Sequence, residues 1–226
     1  FQLTVNVAAC FLVLIGSFIG SESPLTVTQM LWVNLIMDTF GAMALASLPP
    51  SPNVMHDKPR NRKAFILNPP MVSELLGVGF LFFAITLGFY CIFNAMDVTS
   101  MIQLFHAPKD AVAGTMTPYE ATLLFSIFVW THFWYMFNAR CFETGKSVFK
   151  LHMSSGFWTI VAIIVAGQLF ITEIAYEFFN CAPMFHTADW GWNGSGALDF
   201  VIIVAASSLV LWVREFYGLF KKHPQK

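Results

Sequence analysis

The sequence predicts an all-α membrane protein, one domain over residues 1–226 folded as a bundle of six transmembrane helices with both termini cytoplasmic. Three observations carry that expectation. Hydrophobic residues make up 57% of the chain and charged residues only 11%, against about 25% charged in a soluble domain, and the mean hydropathy is +0.64. Apolar runs long enough for the ~20 residues that a helix needs to cross a bilayer recur along the whole chain. Basic residues gather on alternate connections between those runs. The formal net charge of -1 provides no global field that would recruit nucleic acid.

The first span, about 1–20, opens directly on Phe1 without Met or a basic leader, so it reads as neither a signal peptide nor a natural start, and further chain is expected upstream. The second, about 26–47, holds the stretch "QMLWVNLIMDTFGAMALASLPPSP". A proline-punctuated connection, "LPPSPNVMHDKPRNRKAFILNPP", follows as an irregular strap. The third span, about 72–96, carries Gly77, Gly79 and Gly88, expected to admit close helix contacts. The fourth, about 119–139, places His132 deep in the bilayer. The fifth, about 157–178, brings Glu173 and Glu177 toward the outer interface. The sixth, about 199–219, ends near Arg214 and Glu215, read as an interfacial pair.

Orientation follows from the basic residues. Lys58, Arg60, Arg62 and Lys63 lie between spans two and three, Arg140, Lys146 and Lys150 between four and five, and Lys221, Lys222 and Lys226 after six, which makes these connections cytoplasmic. The alternate connections carry Glu22, Asp97, Asp110, Glu177, Asp189 and Asp199, with Lys109 the lone base, and face outward. Trp190 and Trp192 suit the outer headgroup level. Cys10 and Cys91 fall within spans, Cys141 inside the cell and Cys181 outside, so no pair shares an oxidising compartment and no disulfide is expected. The lack of a Cys-x-x-Cys or His-x-x-x-His pair argues against a soft-metal site.

The second span poses the chemical question. Its midpoint lies near Met37, so Asp38 sits as far from water as the chain allows, at an insertion cost of about 2.5–3.5 kcal/mol. Asn34 and Asp38 are four apart and share a helix face, and Asn6 in the first span could add a third oxygen. Hard oxygen ligands suit Ca²⁺ or Mg²⁺, and a site that strips most hydration water favours Ca²⁺. The competing reading makes Asn6 interhelical glue and Asp38 the structural partner of a buried donor.

"FQLTVNV" and "SPLTVTQMLWVNLIMDTFGAMALASLPP" resemble the fifth and sixth membrane helices of P-type calcium-transporting ATPases, nearest to the plasma-membrane, calmodulin-regulated type. The span count, the orientation and the basic strap are similar to that family's carboxy-terminal membrane half. Secretory-pathway pumps are also similar but tend to carry Gly-Pro-Pro where this chain has "TFG". The resemblance implies that Asn34 and Asp38 ligate Ca²⁺ from a locally unwound helix, a conformation that Gly41 would ease, and that Asn6 stands at a ligand position of the two-ion pumps. Three departures remove donors of the two-ion type: Ala9 and His132 replace glutamates, and Met37 replaces a threonine. A single intramembrane Ca²⁺ site is therefore expected, completed by residues upstream of Phe1. His132 is left either as a proton or counter-ion site or as a cross-bundle hydrogen bond holding spans one and four together.

The resemblance also implies a function for the full-length protein: an ATP-driven Ca²⁺ export pump of the plasma or bacterial inner membrane. ATP and Mg²⁺ would act in cytoplasmic domains upstream, because this chain has no Asp-Lys-Thr-Gly-Thr segment and should be inactive alone. The partners implied are the upstream half of the same polypeptide and the lipid bilayer. The strap would approach the phosphorylated domain, beside its ordinary role as a positive-inside anchor. No calmodulin target is expected in "LFKKHPQK", which is too short to form one. The alternative is a six-span cation channel or secondary transporter with a pore lined by Asn34 and Asp38.

Overall fold

A computed structural model describes residues 1–19, 23–47, 55, 65–104, 116–142, 147–150, 153–187 and 189–220. Among them there is no strand, only a lone bridge between His186 and Trp192, and the remaining order is helical. Helix α1 runs Gln2–Ile19. A composite rod follows, made of α2 (Val27–Trp32), a π-helix (Val33–Phe40) and α3 (Gly41–Ala46). Next come α4 (Pro69–Ala95), α5 (Pro118–Arg140) and α6 (Ser155–Glu173), then a second composite rod of α7 (Gly194–Ser207) and α8 (Leu209–Phe220). Among the described residues, four segments are long and apolar enough to cross a membrane: Gln2–Ile19, Pro69–Ala95, Ser155–Glu173 and Gly194–Phe216.

Short polar signals set the helix starts. Thr26 and Thr117 each form a capping box, with Gln29 and Glu120 three residues on. Asn68, Ser154 and Asn193 accept from Met71 N, Phe157 N and Gly196 N respectively, and prolines occupy the first turns of α4 and α5, where no amide partner is lost.

Helix α5 is the hub. Almost every side chain on it is buried, and it packs against α4, α7, α8 and the π segment. A helix covered on all sides needs no apolar stripe, which lets it carry polar residues that reach neighbouring helices. Trp134 Nε1 donates to Val204 O (3.1 Å), Asn138 Nδ2 to Val210 O (2.8 Å) and Tyr135 OH to Glu74 Oε1 (3.1 Å). At its C-terminal end Arg140 lies over the Phe157 ring, 5.0 Å from the centroid.

Acidic side chains that the sequence places at interfaces turn inward instead. Glu173 accepts from Met184 N (3.2 Å) and Phe185 N (2.9 Å), and the fifth rod stops at Glu173 and not at 178, while Glu177, like Asp97 and Asp189, stays exposed. His186 fastens the same turn. Its Nε2 faces Glu173 O at 2.8 Å, its Nδ1 faces Thr187 O at 2.9 Å, and its ring stacks on Trp190 at 4.2 Å. Those two carbonyls favour the doubly protonated ring and hold its proton affinity above the usual histidine value.

Arg214 and Glu215 do not pair with each other, because successive residues point to different sides of a helix. Arg214 donates to the Asn138 and Cys141 carbonyls at the end of α5, and Glu215 accepts from Val148 N (2.7 Å). Of the three glycines in α4, only Gly79 meets a neighbour: a Cβ there would lie 3.2 Å from Val7, whereas Gly77 and Gly88 face open space. Of the basic strap only Met55 and residues 65–70 are described, so its basic cluster lies outside the described residues. Cys10 and Cys91 are exposed, and Cys141 and Cys181 are buried.

Candidate ion site

Asn34 and Asp38 sit on the one part of the backbone that, among the described residues, departs from α geometry over about two turns. Val33–Phe40 is a π-helix, a form that occurs mostly as single-turn bulges at functional sites. Both of its flanks are anchored. On the α2 side, the capping box starts the rod, and the Gln29 amide nitrogen reaches Phe179 O (3.0 Å) and Cys181 Sγ (3.5 Å). Trp32 lies against Gly167, where a Cβ would come within 2.8 Å of the indole, and its Nε1 donates to Gln168 Oε1 (3.2 Å). On the α3 side, Gly41 admits the Phe1 ring, 2.8 Å from where a Cβ would stand, and that ring stacks on Tyr135 with centroids 6.0 Å apart.

This geometry corrects the expected unwinding. The segment stays helical and widens. With both ends pinned to α6 and to the α1–α5 junction, extra chain between them is taken up by wider turns instead of an extended break. Gly41 serves a ring contact and does not loosen the backbone.

Asn34 is exposed on this segment and Val33 beside it is fully buried, so the π-helix turns Asn34 away from the described core. The Asp38 backbone belongs to the π-helix, and its side chain lies outside the described residues, as does that of Met37. Asn6 is half-buried on α1, which touches the π segment. Ala9 is packed in the core at 1% exposure and offers only a methyl. Helices bearing Asn6, Asn34 and Asp38 are thus neighbours. Among the described residues, no group of three or more His, Cys, Asp or Glu side chains converges.

His132 is fully buried on α5, a helix that also touches the π segment. The expected cross-bundle hydrogen bond to α1 is replaced by a bond within its own helix: Nδ1 lies 2.7 Å from Phe128 O, four residues back. The Phe82 and Phe128 rings enclose it, with centroids at 5.0 and 4.2 Å, and Nε2 has no hydrogen-bond partner. Sequence reasoning passed over the polar cluster of Glu74, Tyr135, Asn138 and Arg214 altogether. A polar triplet on one face of the fourth run could have flagged it, since Thr131, Tyr135 and Asn138 recur at helical spacing.

Residues 22–220 match the family described as "Cation transporting ATPase, C-terminus". The chain is similar to plasma membrane calcium-transporting ATPase 3 of Homo sapiens, with 33% identity over 193 residues, covering 85% of this chain and 15% of that protein. It is likewise similar to plasma membrane calcium-transporting ATPase 2 of Oreochromis mossambicus (33% identity; 85% of this chain, 17% of the relative) and to plasma membrane calcium-transporting ATPase 1 of Oryctolagus cuniculus (32%; 88% and 16%). The chain therefore spans only 15% to 17% of the length of these relatives.

Proposed function

The chain belongs to the family of cation-transporting ATPase C-termini, and from that membership we propose that it is the ion-binding membrane half of a P-type pump that exports Ca²⁺ across the plasma membrane. The observation that carries the reading is the π-helix at Val33–Phe40, which places Asn34 and Asp38 on a specialised backbone in a chain similar to calcium-transporting ATPases. The Asn34 amide and the Asp38 carboxylate supply oxygens to one side of a Ca²⁺ shell, and Asn6 on the neighbouring helix α1 adds another. The upstream part of the polypeptide supplies the remaining ligands, and its cytoplasmic domains bind ATP and Mg²⁺.

One ion is transported per cycle in this proposal. A buried Ca²⁺ takes about six to eight oxygens, and its charge must be offset by carboxylate. A second ion would have to draw on Ala9, Met37 and His132, which offer a methyl, a thioether and an imidazole. The imidazole is already walled in by Phe82 and Phe128 and serves packing. Occlusion of radioactive calcium by the full-length pump should give one ion per phosphorylated site and calcium activation without cooperativity. Two ions per site would overturn the assignment.

All six rods cross the bilayer in this reading, with both ends of the chain inside the cell. The native cysteines make poor reporters, since Cys181 is 5% exposed and its burial pushes the thiol pKa up, so that little thiolate is present to react. Exposed positions serve better. An Asp189→Cys variant should react with an impermeant maleimide from outside intact cells, and a Lys150→Cys variant only after permeabilisation. The reverse pattern would remove the six-span arrangement.

A further inference from the structure

A cavity of about 760 Å³ opens between α4, α5 and the α7–α8 rod. No residue of α1, the π segment or α6 lines it, so it is separate from the ion site. Along α4 it runs from Glu74 to Phe89, about 22 Å at 1.5 Å per residue, deeper than the ~15 Å of one bilayer leaflet's hydrocarbon. Side chains such as Phe82, Ile127 and Ile203 make its walls apolar. One end differs.

Four polar lining residues meet at that end. Glu74 accepts from Tyr135 OH at 3.1 Å, and three residues further along α5 the backbone carbonyl of Asn138 accepts from Arg214. Arg214 also donates to Cys141 O at 2.6 Å, so two carbonyls engage only part of its five-donor guanidinium. Asn138 is 4% exposed. Its Nδ2 is committed to Val210 O, which fixes the orientation of the amide, and its Oδ1 is buried without any donor. That oxygen is closed off behind the groove wall, so the end of the groove presents one cation and one carboxylate.

We propose that this groove binds phosphatidylethanolamine, with acyl chain along the apolar walls, phosphate at Arg214 and the primary ammonium at Glu74. The two charged groups match a zwitterion that carries both an anionic oxygen and N–H donors. Phosphatidylcholine has the same charges and no N–H on its quaternary nitrogen, so it cannot donate a hydrogen bond to Glu74. The proposal rests on the rods crossing the bilayer and is independent of which ion is carried.

The test uses the full-length protein purified from vesicles containing equal amounts of the two lipids, with retained lipid counted by native mass spectrometry. Wild type should retain phosphatidylethanolamine about tenfold over phosphatidylcholine, the discrimination expected from one charge-assisted hydrogen bond. Glu74→Gln should remove most of that preference, and Ala206→Trp, which fills the groove wall, should lower retention of both lipids. Should Glu74→Gln fail to accumulate, a photoactivatable phosphatidylethanolamine on wild type decides: crosslinks on α4 and α7 facing the groove support the site. Equal retention of the two lipids, crosslinks scattered over the other helices, or a copurified polypeptide crosslinked along the groove would each overturn it.

Discussion

Asp38→Asn in the full-length pump should abolish calcium-dependent phosphorylation by ATP, while phosphorylation by inorganic phosphate in the absence of calcium persists. The substitution keeps shape and one carbonyl oxygen and removes a full negative charge. A Ca²⁺ ion stripped of water inside a low-dielectric bundle depends on that charge, because neutral oxygens alone do not offset the several kcal/mol lost on dehydrating each ion. The π-helix sharpens the expectation. Its anchors at Trp32 and Gly41 fix the segment whether or not Asp38 is charged, so the variant should fold and still fail to recognise calcium. Ordinary calcium affinity in a properly inserted Asp38→Asn pump would show that the carboxylate does not hold the ion.

The sequence was legible where one physical signal dominated. Among the described residues the long apolar runs do form helical rods, although the fifth ends at Glu173 and not at 178 and the last starts at Gly194 and not at 199. Asn34 and Asp38 stood out because an ionisable residue in a long apolar run has few ordinary explanations. Other features depend on tertiary partners that no local pattern encodes. A π-helix carries no composition of its own and arises here between anchors on α6, α1 and α5. The reversal of Glu173 toward the amides of Met184 and Phe185 depends on a turn eleven residues away. Arg214 looked like one half of a neighbouring ion pair, yet its partners are carbonyls on another helix. Gly77 and Gly88 were misjudged for the same reason: a small residue permits a contact but does not create the helix that would make it.

Asp199→Ala should cost about 3–5 kcal/mol and is the largest structural effect expected outside the ion site. Asp199 is fully buried in the first turns of α7, and its two carboxyl oxygens accept three hydrogen bonds from two other elements. Oδ1 takes the Ser100 hydroxyl (2.7 Å) and Met101 N (2.9 Å), and Oδ2 takes the Tyr119 hydroxyl (2.7 Å). This one side chain therefore ties the turn after α4 and the start of α5 to the last rod, on the side of the bundle where Glu120 binds Val98 N (2.9 Å). Alanine leaves all three part-buried donors without their acceptor, and each loss adds to a cavity where the buried carboxyl group stood. Asp199→Asn separates the contributions, since its amide keeps the shape and one acceptor but turns an N–H₂ toward a donor. The order of thermal stability in the purified full-length protein should be wild type, then Asn, then Ala, with calcium affinity unchanged in whatever folds. Equal unfolding temperatures for wild type and Asp199→Ala would mean that the three bonds exchange freely with water and do not hold the rods together.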